Sequence, residues 1–298
     1  MARYDITILT AEHYLDPVHP DWYVQQILLE DRILAEALER EGLRVHRIDW
    51  TNAAFRWNET SSAIIRSTWD YTNRFEEFHA FLHTAAAQTR LINPLSTVLW
   101  NLDKHYLSDL RKRGIGIPET IFIERYSTDT IADVFRNSGF TEAILKPAMS
   151  AGARHTYRLT ADNLPGHEAI FRELIGNETM MLQPFLHSVV THGEITLVVI
   201  GGRYTHAIHK KAKQGDFRVQ DDFGGTVHHY TPTPEEIAFA ERAVAACDPL
   251  PAYARVDILR DQDGHPVVSE LEAIEPELWF RFFPPAAAKL AEHIVRQR

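Results

Sequence analysis

Arg255, Asp257, Glu270 and Glu272 are spaced so that four charged side chains can meet on one surface. Residues 253–259 and 266–273 both read as strands, and Asp263-Gly264 between them is a strong two-residue hairpin signal. With that turn as the tip, Asp257 faces Glu270 and Arg255 faces Glu272. Strand alternation places these four on one face and Val256, Ile258, Ser269 and Leu271 on the other. Directly opposed carboxylates repel. Three of them with one Arg therefore read as a seat for a hard divalent cation, and oxygen ligands beside a phosphate-bearing substrate suit magnesium. Taken alone, the same residues also fit a solvated hairpin face with a cross-strand ion pair.

Four more segments carry candidate groups. Residues 144–154 bring Lys146 out of a buried strand into a loop of small residues that includes Ser150 and Gly152. Small residues let backbone N–H groups approach a phosphate, and the Lys adds a point charge. The GxxxxGK[ST] pattern is absent, and an ordinary turn is the alternative. Residues 181–186 form an apolar strand stopped by Pro184. The backbone beside Gln183 and Phe185 is then unpaired and could meet the edge of an adenine, or the segment is an interdomain linker. Lys104 falls in the first turn of a helix expected over 101–113, where a cation opposes the helix dipole. A nearby nucleotide phosphate would account for that, and so would plain solvation. In 205–225, Lys210, Arg218 and Gly224-Gly225 make a basic strand end and loop able to clamp an anionic group or a transferred phosphoryl. The alternative is a charged surface loop.

Positioning these groups falls to a regular alternation of elements. Short apolar strands are expected at 4–10, 45–50, 62–67 and 91–92. A helix over 22–42, with Val24, Ile27, Leu28, Ile33, Leu34 and Leu38 on its apolar side, stops at Gly42. A second helix starts near Arg74. Such alternation indicates a parallel α/β sheet, with ligands at the C-terminal ends of its strands. Arg66, Ser67, Thr68 and Trp69 lie at one of those ends. Beyond Asn101 the expected order is a strand at 120–124, a helix at 130–137, a strand at 142–147, a helix at 163–175 and a strand at 179–185. From Gly193 an antiparallel sheet follows, with a hairpin at Gly201-Gly202, a helix over 234–247 and a terminal helix from Pro285. The other tryptophans read mainly as core. Residues 280–283, Phe-Arg-Phe-Phe, read as a core plug or a dimer contact.

A chain of 298 residues with net charge −10 carries no basic footprint for nucleic acid. Its one cysteine, Cys247, excludes an intrachain disulfide and a zinc–cysteine cluster, fits a reducing compartment and suits a small buried apolar role. No signal-peptide pattern or long apolar run points to a membrane, so a cytoplasmic protein is expected.

In this order, over roughly 95–280, the segments resemble the ATP-grasp superfamily, closest in texture to its glutathione synthetase-like branch. The resemblance rests on a Lys-bearing first helix, Leu145-Lys146-Pro147 with its small-residue loop, the 181–186 strand and the Arg-x-Asp … Glu-x-Glu hairpin. Within that branch, residues 66–71, 100–104 and 215–220 and Glu275-Pro276 look most like the O-ureido-serine cyclo-ligases of cycloserine biosynthesis and their relatives. Two departures stand out: Glu272 occupies a position where many members carry Asn, and the phosphate loop has only Gly152.

The resemblance implies an ATP-grasp fold of α/β and α+β parts behind an N-terminal parallel α/β domain. Residues 1–98 would form that domain, 99–186 a small lobe with a hinge strand, and 187–298 a lobe with the metal hairpin. It further implies ATP held by Lys104, Lys146, Ser150, Gly152, Gln183, Pro184 and Phe185. One or two magnesium ions would sit on Asp257, Glu270 and Glu272. Arg255 would stabilise developing charge, with Lys210 and Arg218 assisting. Arg66, Ser67, Thr68 and Trp69 would contact the substrate. The implied reaction joins a small-molecule carboxylate to an amine through an acyl phosphate, or closes a ring within one molecule, and relatives often form homodimers. A nucleotide-binding module without ligase activity is the reading from another class, and the retained metal carboxylates argue against it.

Overall fold

The computed structural model describes residues 2–150, 152 and 154–298. Ala151 and Ala153 of the small-residue loop therefore lie outside the described residues. Strands β1 (Ile6–Thr10), β2 (Val45–Asp49), β3 (Ser62–Ser67) and β4 (Arg90–Ile92) form a parallel sheet in the order β2-β1-β3-β4. Central β1 and β3 are buried along their whole length because helices cover both faces, as parallel sheets require. The helix Trp22–Arg40 starts where the Asp21 carboxylate accepts from Val24 N, and it turns Ile27, Leu34 and Leu38 inward.

Strands β5 (Ile121–Ile123), β6 (Glu142–Pro147), β7 (Tyr157–Thr160) and β8 (Met180–Pro184) make a second, antiparallel sheet in the order β5-β8-β6-β7. The helices Ile131–Ser138 and Leu164–Asn177 pack on it and close a core of its own around Phe135, Leu145, Phe171 and Leu182. Strand β7 escapes the sequence reading because it is a four-residue edge strand with one buried side chain.

Strands β9 (Glu194–Ile200), β10 (Arg203–Lys211), β11 (Thr226–Tyr230), β12 (Tyr253–Arg260) and β13 (Pro266–Glu272) form the third sheet, antiparallel, in the order β11-β10-β9-β12-β13. One face shares a core with the first sheet: Val198, Ile208 and Tyr253 pack with Ile6, Ile8, Leu34, Leu38 and, from the helix Pro285–Arg296, Leu290. Phe280 is fully buried there and Phe282 and Phe283 pack against it, so the Phe run is core. The other face packs on the helix Pro234–Ala245, which carries a full capping box between Thr233 and Glu236.

Three expectations need correction. The helix over 101–113 is two helices, Leu95–Leu102 and Tyr106–Lys112. Asp103 breaks it by accepting from His105 N at 3.0 Å, a side-chain bond that competes with helical geometry. Both helices pack on the third sheet through Trp100, Tyr106, Leu107 and Leu110, rather than belonging to the core of the second. The β12–β13 connection spans residues 261–265, not two residues, and the register shifts by one between Asp257 and Ile258. The longer turn and the bulge offset each other, so Asp257 still pairs with Glu270 and Arg255 with Glu272.

Candidate active site

A cavity of about 510 Å³ opens between the second and third sheets, and Tyr14, Tyr23, Trp69 and Thr72, from helical segments beside the first sheet, wall one end. The hairpin carboxylates Asp257, Glu270 and Glu272 reach it. One oxygen each from Asp257, Glu270 and Glu272 lies within 4.8 Å of the others. Asp257 is the most constrained. It accepts from Thr196 Oγ1 at 2.6 Å, Arg255 Nη2 at 2.9 Å and Lys210 Nζ at 3.2 Å. Burial raises its proton affinity, but Arg255 and Lys210 outweigh burial and hold the carboxyl at about 2. Burial raises Glu272 to about 8, with Glu270 and Asp257 adding to it against the pull of its ion pair with Arg255. Burial also acts on Glu270, yet Lys104 and Lys146 bring it below the usual range.

The cations come from separate parts of the chain. Lys104 sits in the break between the two helices. There its N–H donates to Ala148 O at 2.9 Å, and Nζ reaches Ser150 O at 2.6 Å and Glu270 at 3.1 Å. The helix break, rather than a first helical turn, is what aims it into the cavity. Lys146 projects from β6, and its burial lowers its pKa. Lys210 on β10 is held by Glu194 at 2.6 Å as well as by Asp257. Burial works against its charge, and the two carboxylates more than restore it. Arg218 lines the wall beside them, pairs with Asp216 at 2.7 Å and lies 4.1 Å from the Phe223 ring centroid.

Ser150, Gly152, Gln183, Pro184 and Phe185 line the far wall. Gly152 has φ +62°, a left-handed conformation that other residues rarely hold. Gln183 Nε2 donates to Thr120 Oγ1 at 2.9 Å. The Phe185 N–H is not unpaired, because it donates to Glu142 O at 2.9 Å where β8 ends.

The structure separates the four residues 66–69. Trp69 lines the cavity, its Nε1 donating to Glu275 O at 3.0 Å and its ring 5.9 Å from Tyr14 and 6.2 Å from Tyr23. Arg66 and Ser67 line only a small side pocket that shares Tyr23, Trp69, Asp221 and Glu277 with it, and Thr68 lines neither. Arg66 is 3% exposed, donates to Glu30 at 3.3 Å and lies 5.6 Å from the Tyr253 ring. Ser67 bonds Thr10 and Asp31, and Thr68 is fully buried. They stay inside because β3 is an inner strand, covered on both faces to its last residue.

Among the residues that line or brace the cavity, Glu194, Thr196 and Glu275 carry no role in the sequence reading, and neither do Tyr14, Tyr23 and Glu277. A tight turn at Gly201-Gly202 counts Lys210 opposite Gly193, and the bulge between Tyr204 and His206 moves it to Glu194. Ser269, expected on the opposite face, lines the cavity because the β13 bulge turns it there. Glu275 follows β13 in a segment that leaves the sheet. Burial raises its carboxyl to about 7, against a hydrogen bond from Tyr71 and the charge of Lys104.

That segment is pinned from several sides. Asn93 Nδ2 donates to Ala273 O at 2.8 Å, and Tyr253 Oη donates to Ile274 O at 2.7 Å. Trp69 holds Glu275 O, while the Glu30 carboxylate accepts from Leu278 N at 2.6 Å and Phe280 N at 2.8 Å.

The arrangement offers an all-oxygen cation seat, three lysines and an adjoining aromatic pocket in one cavity. Replacing Lys146 with Met is expected to weaken ATP binding about 10- to 100-fold, as loss of a charged contact would. Calorimetric titration with ATP and magnesium checks this, and unchanged affinity would remove Lys146 from the nucleotide wall.

Comparison with known proteins gives consistent relatives. The family model described as "RimK-like ATP-grasp domain" matches residues 107–278. That described as "D-cycloserine synthetase DcsG, N-terminal domain" matches residues 6–93. The cycloserine biosynthesis protein DcsG of Streptomyces lavendulae is 31% identical over 283 residues, covering 89% of this chain and 92% of that protein. A probable alpha-L-glutamate ligase of Hydrogenovibrio crunogenus is 28% identical, over 55% of this chain and about half (52%) of its own length. The crystal structure of D-cycloserine synthetase DcsG superposes with a TM-score of 0.86 at 28% identity, covering 98% of this chain and 99% of that one. An ATP-grasp RimK domain protein from Sphaerobacter thermophilus, at 18% identity and TM-score 0.69, shares the fold.

Proposed function

From the premise that this chain belongs to the RimK-like ATP-grasp family, we propose that it joins a carboxylate to an amine through an acyl phosphate, with magnesium on the β12–β13 hairpin. Membership makes it an ATP-dependent ligase forming C–N bonds. The observation that carries the finer reading is the convergence of Asp257, Glu270 and Glu272 within 4.8 Å, with Lys104 and Lys210 paired to them and Lys146 lining the same cavity.

The donor set fits the metal, because hard carboxylate oxygens suit magnesium. Magnesium held there would neutralise the phosphate oxygens as the γ-phosphoryl moves. The chain's own groups do the positioning. Lys104 and Lys146 hold phosphate oxygens, and the wall at Gln183–Phe185 holds the adenine. Arg255, already tied to two ligands of the seat, can swing its charge toward the transferring group. The substrate carboxylate attacks the γ-phosphate, ADP leaves, and the amine attacks the acyl carbon and expels phosphate. Closure of the cavity keeps water from the acyl phosphate. Catalysis rests on alignment and charge, with no covalent enzyme intermediate.

A cyclo-ligase of the O-ureido-serine type is the second reading. The full-length similarity to the cycloserine protein favours it, since the glutamate ligase matches over about half its length. The substrates of either reaction are small molecules. Among the described residues no helix is long and apolar enough to cross a membrane.

The test is ADP and phosphate release from ATP and magnesium with a panel of amino acids, short peptides and O-ureido-serine, followed by product mass. A product equal to one substrate minus water, or minus water and the carbamoyl group where a ureido nitrogen closes the ring, selects cyclisation, and a sum of two substrates minus water selects joining. Chelation with EDTA is expected to stop release and excess magnesium to restore it. Release that persists in EDTA would take the metal off the hairpin.

A further inference from the structure

The carboxylates lining the cavity are not equivalent. Among the described residues, Asp257, Glu270, Glu272, Glu194, Asp221 and Glu277 each form an ion pair with a Lys or Arg. Glu275 forms none, and the Tyr71 hydroxyl donates to it instead. Tyr71 is buried, and burial together with Glu275 raises its pKa, so it stays a neutral donor. Glu275 itself is 6% exposed and still lines the cavity. Its backbone is fixed by Trp69 Nε1, which belongs to the aromatic end of the cavity with Tyr14 and Tyr23. Three residues before it, Glu272 belongs to the cation seat. Glu275 thus stands where the chain passes from the phosphate chemistry to the aromatic pocket.

A buried carboxylate without an ion pair is basic for its type, and a positioned base near the reacting atoms contributes catalysis. We propose that Glu275 is a catalytic residue that accepts the proton of the attacking nitrogen in the second half of the reaction, and that Tyr71 is the positioning residue that aims it. The inference rests on the ligase reading above. As the nitrogen bonds to the acyl carbon, the carbon–oxygen bond to the phosphate breaks. Phosphate departs with that electron pair, and the nitrogen's proton passes to Glu275. Formation of the acyl phosphate requires no such base, so the two half-reactions should respond differently to loss of Glu275.

The experiment compares the full-length wild-type chain with Glu275→Gln, Glu275→Asp and Tyr71→Phe, using ATP, magnesium and the panel above, with and without hydroxylamine. Hydroxylamine is unprotonated at neutral pH and traps an acyl phosphate as a hydroxamate without help from a base. Glu275→Gln is expected to lower amide or ring formation by at least about 100-fold while hydroxamate yield stays within about threefold of wild type. Glu275→Asp keeps a carboxylate and should recover part of the loss, and Tyr71→Phe should cost about tenfold in product with hydroxamate intact. Product formation by Glu275→Gln close to wild type overturns the assignment. So does an equal fall of product and hydroxamate in all three variants, which is what a purely structural role would give. Absence of ADP release from the wild-type chain would instead defeat the ligase reading beneath it.

Discussion

Glu270→Gln is expected to lower turnover by at least about a thousandfold while the protein folds and melts close to the wild type. The substitution removes one carboxylate of a three-carboxylate seat, and electrostatic groups at a charged transition state are typically worth about 10²–10³ each. Loss of a metal ligand adds to this by loosening the ion. The fold should tolerate it, because among the described residues Glu270 forms an ion pair with Lys104 alone, and Lys104 keeps Ser150 O as an acceptor. Asp257→Asn should abolish turnover to a similar degree but at a visible stability cost. Its carboxylate satisfies Thr196, Arg255 and Lys210 together at 2% exposure. Breaking a buried ion pair costs about 3–5 kcal/mol. Steady-state ADP release and thermal denaturation on the same preparations separate the two effects. Turnover within tenfold of wild type in Glu270→Gln would remove the metal from this hairpin.

The second large effect concerns stability. Glu30→Ala is expected to destabilise the chain by about 3–5 kcal/mol, because it strips a buried Arg of its charge partner. At roughly 2–4 °C per kcal/mol for a chain of this size, the melting temperature should fall by about 10 °C or more. The reason lies in how much depends on one carboxylate. Glu30 accepts from Leu278 N, Phe280 N and Arg66 Nη2, which is the only guanidinium nitrogen of Arg66 with a hydrogen-bond partner among the described residues. Glu30→Gln retains an acceptor and should lose less. If Arg66 were a substrate contact, Arg66→Met would raise KM and leave the melting temperature alone. The buried pair implies the reverse, a lower melting temperature, and calorimetry decides between them.

Much of the hairpin site was legible because its register follows from strand alternation and a turn signal. The pairs Asp257/Glu270 and Arg255/Glu272 were reached through two compensating departures, a longer connection and a bulge. On β10 a bulge with no turn to offset it brings Glu194, rather than Gly193, to Lys210, a shift that counting from the turn does not disclose. Lys104 was assigned to the nucleotide, but its setting was misread, since nothing in helical periodicity discloses that Asp103 will cap His105 and split the helix. Arg66 looked like a ligand because strand ends in parallel sheets commonly are. Its burial depends on Glu30 and Tyr253, which lie 36 residues before it in sequence and on another sheet. Contacts between separate domains leave no local pattern, so the N-terminal side of the cavity was the part least open to reading.

The pinning of residues 273–280 bears on how this enzyme could be re-engineered. Asn93, Trp69 and Glu30 of the first 98 residues grip a segment that belongs to the C-terminal part of the chain. A chimera made by cutting near residue 98 and grafting a foreign N-terminal domain would leave that segment facing strangers. Its carbonyls and N–H groups would lose their partners, and Glu275 would lose its alignment even though its own codon is untouched. The transferable cassette is discontinuous: the N-terminal domain must travel with residues 273–280. Recombination libraries that honour this linkage should yield folded, active hybrids more often than libraries that split it.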